Sequence, residues 1–328
     1  MTIPGTFRRT VLLPLTMAAL MLPALTTWAQ SYPNKPVNVI VGFGAGSGTD
    51  ILARIICEEL RLSLGQPFVV MNKSGATAAI AAEFVAKAPA DGYTLFITSN
   101  SSHSVNPHIY KSLRYDPLKD FTPVGRIADF PFVLVSNPDV PVKSPQELVA
   151  YIRSHPGKTS YAYGNTPGQV AGAAMAKLLR LETTAVPYKS SPPAMADVAS
   201  GQEQFMVVDL ASSQAFVKAG RLRALAVTTS TRSALVPELP TMAESLGLVG
   251  YDLRAWTGMF GPASMPADVT ARLSTELQKI LARPEIKARL LAGNMEPTPA
   301  GAAEFTTFLS DQYRIWGAKI KEAGIEME

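Results

Sequence analysis

The stretch Val37-Asn38-Val39-Ile40-Val41-Gly42-Phe43-Gly44-Ala45-Gly46-Ser47-Gly48-Thr49-Asp50 passes from a β-branched run through a glycine cluster into a helical pattern. Ile51, Leu52, Ile55, Ile56, Leu60 and Leu62 then fall on one apolar side, so the spacing predicts a helix. The unit reads as strand, glycine loop, helix. It is followed by a β-like run at 68–71, the turn Asn72-Lys73-Ser74-Gly75, and a helix through Ala88. Asp91-Gly92 marks another turn, 93–98 a third strand, and 99–104 a polar loop.

The alternation restarts after a proline-rich connection at 116–123. Strands are predicted at 132–135, 159–163, 186–188, 205–208 and 223–227, with helices at 145–154, 169–181, 193–200 and 211–219. The tail at 266–324 reads as wholly helical, in three pieces parted near Pro284 and Pro297-Thr298-Pro299. Alternating strands and helices imply parallel sheets with helices on both faces, an α/β fold. Two such blocks, joined through 125–131, imply two domains with a cleft between them. In open α/β sheets ligands bind beyond the carboxyl ends of the strands. The loops that matter are therefore 42–50, 74–77, 99–103, 164–169 and the segment around Asp209.

Length and composition agree with a globular chain. The 328 residues are 47% hydrophobic, which excludes a disordered protein, and no short repeat suggests a solenoid or collagen. Cys57 is the single cysteine, so neither an internal disulfide nor a thiolate pair is available. His103, His108 and His155 form no HxxH or HExxH pair, so no metal site is expected. Residues 1–29 read as a secretory signal: Arg8-Arg9 supply the positive region, 10–29 carry no charge, and Thr27-Trp28-Ala29 places small residues for cleavage before Gln30. A permanent anchor is the competing reading, against which Pro14 and Pro23 interrupt the apolar run. Without Arg8 and Arg9 the charge balance is only weakly positive, and the basic residues are scattered, so nucleic acid is not an expected partner.

The glycine loop carries the strongest chemical signal. Amides at a helix start lack intrahelical partners and carry partial positive charge, so they stabilise an anion that glycines allow to approach. Thr49 or Asp50 capping the helix is the structural alternative, and capping and binding can coexist on one loop. A dinucleotide site is disfavoured: neither register spells GxGxxG, and the second strand ends in Asn72 rather than an acid. A serine-hydrolase site is also disfavoured, because Ser47 lies between Ala45 and Thr49 instead of two glycines. His103 lies on a predicted cleft loop, either as a ligand partner or as a satisfied loop residue. Ser99-Asn100-Ser101-Ser102 offers donors at a strand end, and the 164–169 loop repeats the logic of the first. Asp209 is an acid at a strand exit, either an acceptor for a ligand ammonium or hydroxyl or a helix N-cap. Phe43 and Tyr188 are apolar walls or core.

These residues, taken in order, carry a resemblance. Tyr32-Pro33-Asn34-Lys35-Pro36, the glycine loop with Thr49-Asp50-Ile51-Leu52-Ala53-Arg54, Asp91-Gly92-Tyr93-Thr94-Leu95, Tyr115-Asp116-Pro117-Leu118-Lys119-Asp120-Phe121, Val186-Pro187-Tyr188-Lys189, the 219–227 run, Leu239-Pro240-Thr241-Met242-Ala243-Glu244 and Trp256-x-Gly258 span the mature chain. In that order they resemble the Bug receptors, the periplasmic substrate-binding proteins of tripartite tricarboxylate transporters. The resemblance implies a two-domain type II periplasmic-binding fold with an interdomain cleft. Its first domain would be 30–130 plus 254–328 and its second 131–253, crossed at 130–135 and 253–260. It implies a periplasmic monomer without cofactor or catalytic residues, capturing a small carboxylate for integral membrane transporter subunits. The alternative is a receptor of the same fold signalling to a sensor partner. Carried over, the ligand residues would be Phe43, Gly46, Ser47, Thr49, Ser74, Gly75, Ala76 and Thr77, with Ser99, Asn165, Thr166 and Asp209. The sequence departs from the family pattern at the first loop, at Ser190, and at Ser74-Gly75-Ala76-Thr77, which replaces a glycine-richer run.

Overall fold

The opening pentad folds as β1 (Val37–Val41), buried at every residue except Asn38. A strand covered on both faces reads as a continuous apolar run rather than an alternation. α1 (Gly48–Leu64) turns Leu52, Ile56 and Leu60 inward and stops at Gly65, whose φ of 71° lets its amide reach the Arg61 carbonyl. β2 (Phe68–Asn72) and β3 (Thr94–Ser99) flank β1 in parallel, with α2 (Ala79–Ala86) between them in the chain. The computed structural model describes residues 1–3, 5 and 32–327, so most of the predicted leader and its cleavage point lie outside the described residues.

Two expectations are corrected at the end of this block. Residues 99–104 are not an open polar loop: Ser101–Val105 is a buried π-helical turn leading into α3 (Asn106–Ile109). The segment 125–131 is not a connection but the middle of β4 (Phe121–Ser136), a strand of 16 residues. Val124, Ile127, Ala128 and Phe130 are buried there, and that burial holds the segment in the sheet in spite of its prolines.

The second block follows the expected alternation. α4 (Pro145–Ser154), β5 (Ser160–Tyr163), α5 (Thr166–Leu179), β6 (Thr184–Pro187), α6 (Ser191–Ala199), β7 (Phe205–Asp209), α7 (Leu210–Lys218), β8 (Arg223–Val227) and α8 (Met242–Leu246) succeed one another. The chain returns through β9 (Arg254–Pro262), which inserts between β3 and β4, antiparallel to both. α9 (Ala267–Ala282), α10 (Pro284–Ala292), β10 (Glu296–Gly301) and α11 (Ala302–Ala323) complete it. The tail is thus not wholly helical. Among the described residues β10 pairs only with β4, with a register shift between Pro297 and Ala300, an edge position where prolines cost no ladder bond.

The sheet is mixed rather than parallel. Its order is β2-β1-β3-β9-β4-β7-β5-β6, with β10 and β8 also on β4. The long strand serves both halves: Pro131 is opposite Arg254 of β9, and the next residue, Phe132, is opposite Asp209 of β7. The strand ends of both halves therefore meet around Phe130–Phe132. Where β9 runs beside β4, a Cβ on Gly258 would lie 2.2 Å from the Phe305 ring and 3.1 Å from the Gly125 carbonyl. Phe305 is fully buried against Trp256 and Phe260 and has little room to yield. Gly258→Ala should cost about 1–3 kcal/mol of stability, read as a lower midpoint in urea unfolding; a midpoint equal to wild type would show that Phe305 can move aside.

Candidate functional site

The loop after β1 is shaped by its own hydrogen bonds. Ser47, not Thr49 or Asp50, is the N-cap of α1, and its hydroxyl accepts the Asp50 amide at 3.2 Å. The Asp50 carboxylate reaches back to accept the Gly46 amide at 3.0 Å. Arg54 grips the same carboxylate at 3.1 and 2.9 Å. Asn72 donates to it at 2.8 Å and to the Phe43 carbonyl at 2.9 Å. Burial alone would raise the Asp50 carboxyl, but the bonds from Arg54, Gly46 and Asn72 and the Arg54 charge outweigh it and hold it below its ordinary value. The loop is fastened from behind, which leaves its front face to other contacts.

That front face meets the second half of the sheet. The Gly48 amide donates to Ser212 Oγ at 2.8 Å, and Ser212 Oγ donates to Asp209 Oδ1 at 2.6 Å. A Cβ at Gly48 would sit 2.4 Å from Asp209 Oδ1 and 3.2 Å from the Phe130 ring, so only glycine permits this approach. Asp209 is itself the N-cap of α7, accepting the Ser212 amide at 2.7 Å. Asn165 caps α5 by accepting the Gly168 amide at 2.8 Å, and it donates to Ser191 Oγ at 3.3 Å.

Around these contacts lies a cavity lined by Phe43, Ser47, Gly48, Thr49, Ser99, Phe130, Phe132, Asn165, Ser191, Asp209 and Ala255, with a volume of about 20 Å³. The starts of four helices converge on it: α1 through Ser47–Thr49, α5 through Asn165, α6 through Ser191 and α7 through Asp209. Each brings partially positive amides. Among the described residues no lysine, arginine or histidine lines the space, and Asp209 is its one ionisable group. Burial raises the Asp209 carboxyl above its ordinary value, against the bonds from Ser212. The surround therefore offers neutral donors on several sides and one carboxylate, Asp209.

The structure brings together Phe43, Ser47, Thr49, Ser99, Asn165 and Asp209 of the residues singled out from the sequence. Gly46, Ser74, Gly75, Ala76, Thr77 and Thr166 lie outside the lining; Thr77 and Thr166 meet instead at Asn106. His103 is no cleft residue. It is fully buried, with its ring 3.9 Å from that of Phe260 and Nδ1 at 2.9 Å from Ser102 Oγ, and burial lowers its pKa to about 3, so it stays neutral. Tyr188 packs outside the cavity and donates to Asp197 at 2.8 Å. Among the described residues no group of three or more His, Cys, Asp or Glu side chains could hold a metal ion.

Residues 52–325 match the family described as the tripartite tricarboxylate transporter family receptor, TctC. The chain belongs to this family. It is 32% identical to Protein BugT of Bordetella pertussis, over 92% of this chain and 93% of that protein. It is similar to the solved structure of R. palustris Rpa4515 with adipate, with a TM-score of 0.88 and 34% identity over 90% of this chain and all of that one. MatC from Rhodopseudomonas palustris with bound malate is also similar, with a TM-score of 0.83 and 28% identity over 88% of this chain and all of that one. Mixed α/β periplasmic-binding folds of the TctC and Bug type are thus the structural relatives of this receptor.

Two carboxylates, Asp209 in the lining and Asp50 behind the glycine loop, titrate with opposite effects on stability. The depressed Asp50 contributes stability above its unfolded pKa and loses it as pH falls through the folded value. The raised Asp209 binds its proton more tightly when folded, so acidification through that range favours the folded state. Asp209→Asn keeps an acceptor for Ser212 and removes a buried charge. Its melting temperature should equal or exceed wild type at pH 7, with any excess shrinking toward pH 4; a much lower melting temperature at pH 7 would contradict the assignment.

Proposed function

We propose that this receptor captures a small carboxylate at the cavity between the two halves of its sheet and passes it, unaltered, to membrane-embedded transporter subunits. The observation that carries this reading is the convergence of four helix starts on a space whose donors are amides and hydroxyls. An anion at such a point is stabilised by oriented peptide dipoles without a cationic side chain. Adipate in one similar structure and malate in another support the carboxylate class. The protein is an exported periplasmic monomer in this reading, with residues 1–29 removed as a leader. It binds without catalysing a reaction and has no nucleic-acid partner.

The two halves act as lobes, 30–130 with 254–328 and 131–253, hinged where β4 and the 253–254 segment pass between them. A cavity of about 20 Å³ holds about one water. A carboxylic acid of several carbons therefore enters only when the lobes part, and closure then excludes solvent around its charged end. Ser47 and Thr49 face the anion from the first lobe, with Phe43, Phe130 and Phe132 against its carbon chain. Asn165 and Asp209 contact it from the second lobe, Asp209 accepting a hydroxyl, ammonium or protonated carboxyl group.

A thermal-shift series with adipate, malate, aspartate and benzoate tests the reading. At a hundred times its Kd a ligand adds about 2.7 kcal/mol of apparent stability, so a true ligand raises the melting temperature by several degrees. Mass spectrometry of the ligand recovered after denaturation should return it unchanged; a hydrolysed or rearranged product would contradict the receptor role. Thr49→Val removes a cavity hydroxyl that caps nothing and should weaken carboxylate binding roughly threefold to tenfold by calorimetry. Ser47→Ala should in addition lose about 1 kcal/mol of folding stability through the missing cap. Unchanged affinity in Thr49→Val would remove that residue from the site.

A further inference from the structure

The segment after β2 has a backbone that its composition does not explain. Gly75, Ala76, Thr77 and Ala78 have φ of 143°, 43°, 49° and 74°, so three consecutive non-glycine residues lie in the left-handed region. L-residues adopt this conformation singly and rarely, and such runs persist where neighbouring structure holds them. The neighbour here is Asn106, the first residue of α3 and fully buried. Its Nδ2 donates to the Thr77 carbonyl at 3.0 Å, and its Oδ1 accepts the Thr77 hydroxyl at 3.1 Å. With that hydroxyl donating to Asn106, the Tyr110 hydroxyl, 3.2 Å away, is the donor to Thr77 Oγ1.

The second lone pair of Asn106 Oδ1 is used by the other half of the molecule. Thr166 Oγ1, on the first residue of α5, donates to it at 3.0 Å. Thr166 is fully buried, and neither it nor Asn106 nor Thr77 lines the ligand cavity. The left-handed turn also abuts the glycine loop, because a Cβ on Gly42 would lie 2.4 Å from Ala78 Cβ. One amide side chain thus joins the left-handed turn, the wall of the glycine loop and the start of α5.

We propose that Asn106 is a closure latch: it receives Thr166 when the lobes are together and releases it when they part, while its bonds to Thr77 keep the left-handed turn in place. This rests on the reading above that the lobes open to admit a carboxylate. The latch favours the closed state without touching the ligand, so it raises affinity by reducing the cost of closing. Thr166 and Thr77 then act as positioning residues, not as ligand contacts. Breaking the Thr166 bond leaves Asn106 Oδ1 still paired with Thr77, so the folded chain survives and only the balance between open and closed shifts.

The test uses the full mature chain carrying Thr166→Val, with Thr166→Ser as the conservative control. Adipate is the probe, and spin labels sit at Leu62→Cys and Lys158→Cys, both exposed positions in different lobes. Thr166→Val should bind adipate about threefold to tenfold more weakly, release it faster, and enlarge the longer-distance population with and without adipate. Thr166→Ser should restore both. Affinity and distance distributions equal to wild type in Thr166→Val, or a Ser variant that behaves like Val, overturn the latch. If adipate leaves wild type unshifted, the choice of carboxylate fails instead, and the distances in adipate-free protein still decide: unchanged distances in Thr166→Val refute the latch.

Discussion

The molecule depends on a constraint that its peptide backbone sets. A helix start has amides without intrahelical partners, and burying those amides with nothing to accept them is costly. Here four helix starts face one small space, and the chain meets part of the demand itself. Ser47, Asn165 and Asp209 cap α1, α5 and α7, and Ser212 Oγ takes the Gly48 amide. Thr49 lines the cavity at the first turn of α1 without serving as a cap. In the proposed reading an incoming anion competes for donors that are already oriented, so little reorganisation accompanies its capture. Among the described residues no lysine or arginine lines the space, and in the proposed reading this keeps capture reversible, because a buried ion pair would hold cargo that has to be released.

Convergence of this kind requires backbones to come unusually close. Gly48 against Asp209 and Phe130 is one such point, and Gly164 is another, where a Cβ would meet the Ser190 carbonyl carbon and the Ser191 amide at 2.2 Å. The long strand β4 makes these approaches reproducible. It pairs with β9 up to Pro131 and with β7 from Phe132, so the two halves share a continuous backbone at the place where their strand ends meet. Phe130 and Phe132, on one face of that strand, supply the apolar floor.

How much of this the sequence discloses follows from the range of each interaction. β1, its glycine loop and the helix after it are legible because apolar spacing and glycine placement are local properties. So is the position of Ser47, Asn165 and Asp209, each standing at a strand-to-helix junction. The particular cap was not legible, since Ser47, Thr49 and Asp50 are all competent and only the turn geometry selects Ser47. Ser212 was hidden for another reason: its partner Gly48 is 164 residues away, and a serine in a helical pattern gives no sign of such a contact. Phe130 and β10 are not legible because prolines suggest a connection and a helical break, whereas an edge position and flanking burial keep both segments in the sheet. Ser101–Val105 looked polar and exposed, yet packing between β3 and α11 buries it.

The departures from the family pattern gain meaning from the same geometry. Where a glycine-richer run would adopt positive φ freely, this chain holds Ala76, Thr77 and Ala78 there through Asn106. A threonine at that point trades backbone freedom for a hydroxyl that helps fix the turn. Ser190, another departure, lies beside the backbone of Gly164 and 2.7 Å from where a Gly44 Cβ would be, so it sits at the seam between the first loop and the second half. Ser190 falls on a contact between the two halves, Thr77 lies one residue back from one through Asn106, and both stand outside the cavity lining. In the proposed reading, ligand preference comes from the residues of the lining itself, above all the three phenylalanines and the one carboxylate, Asp209.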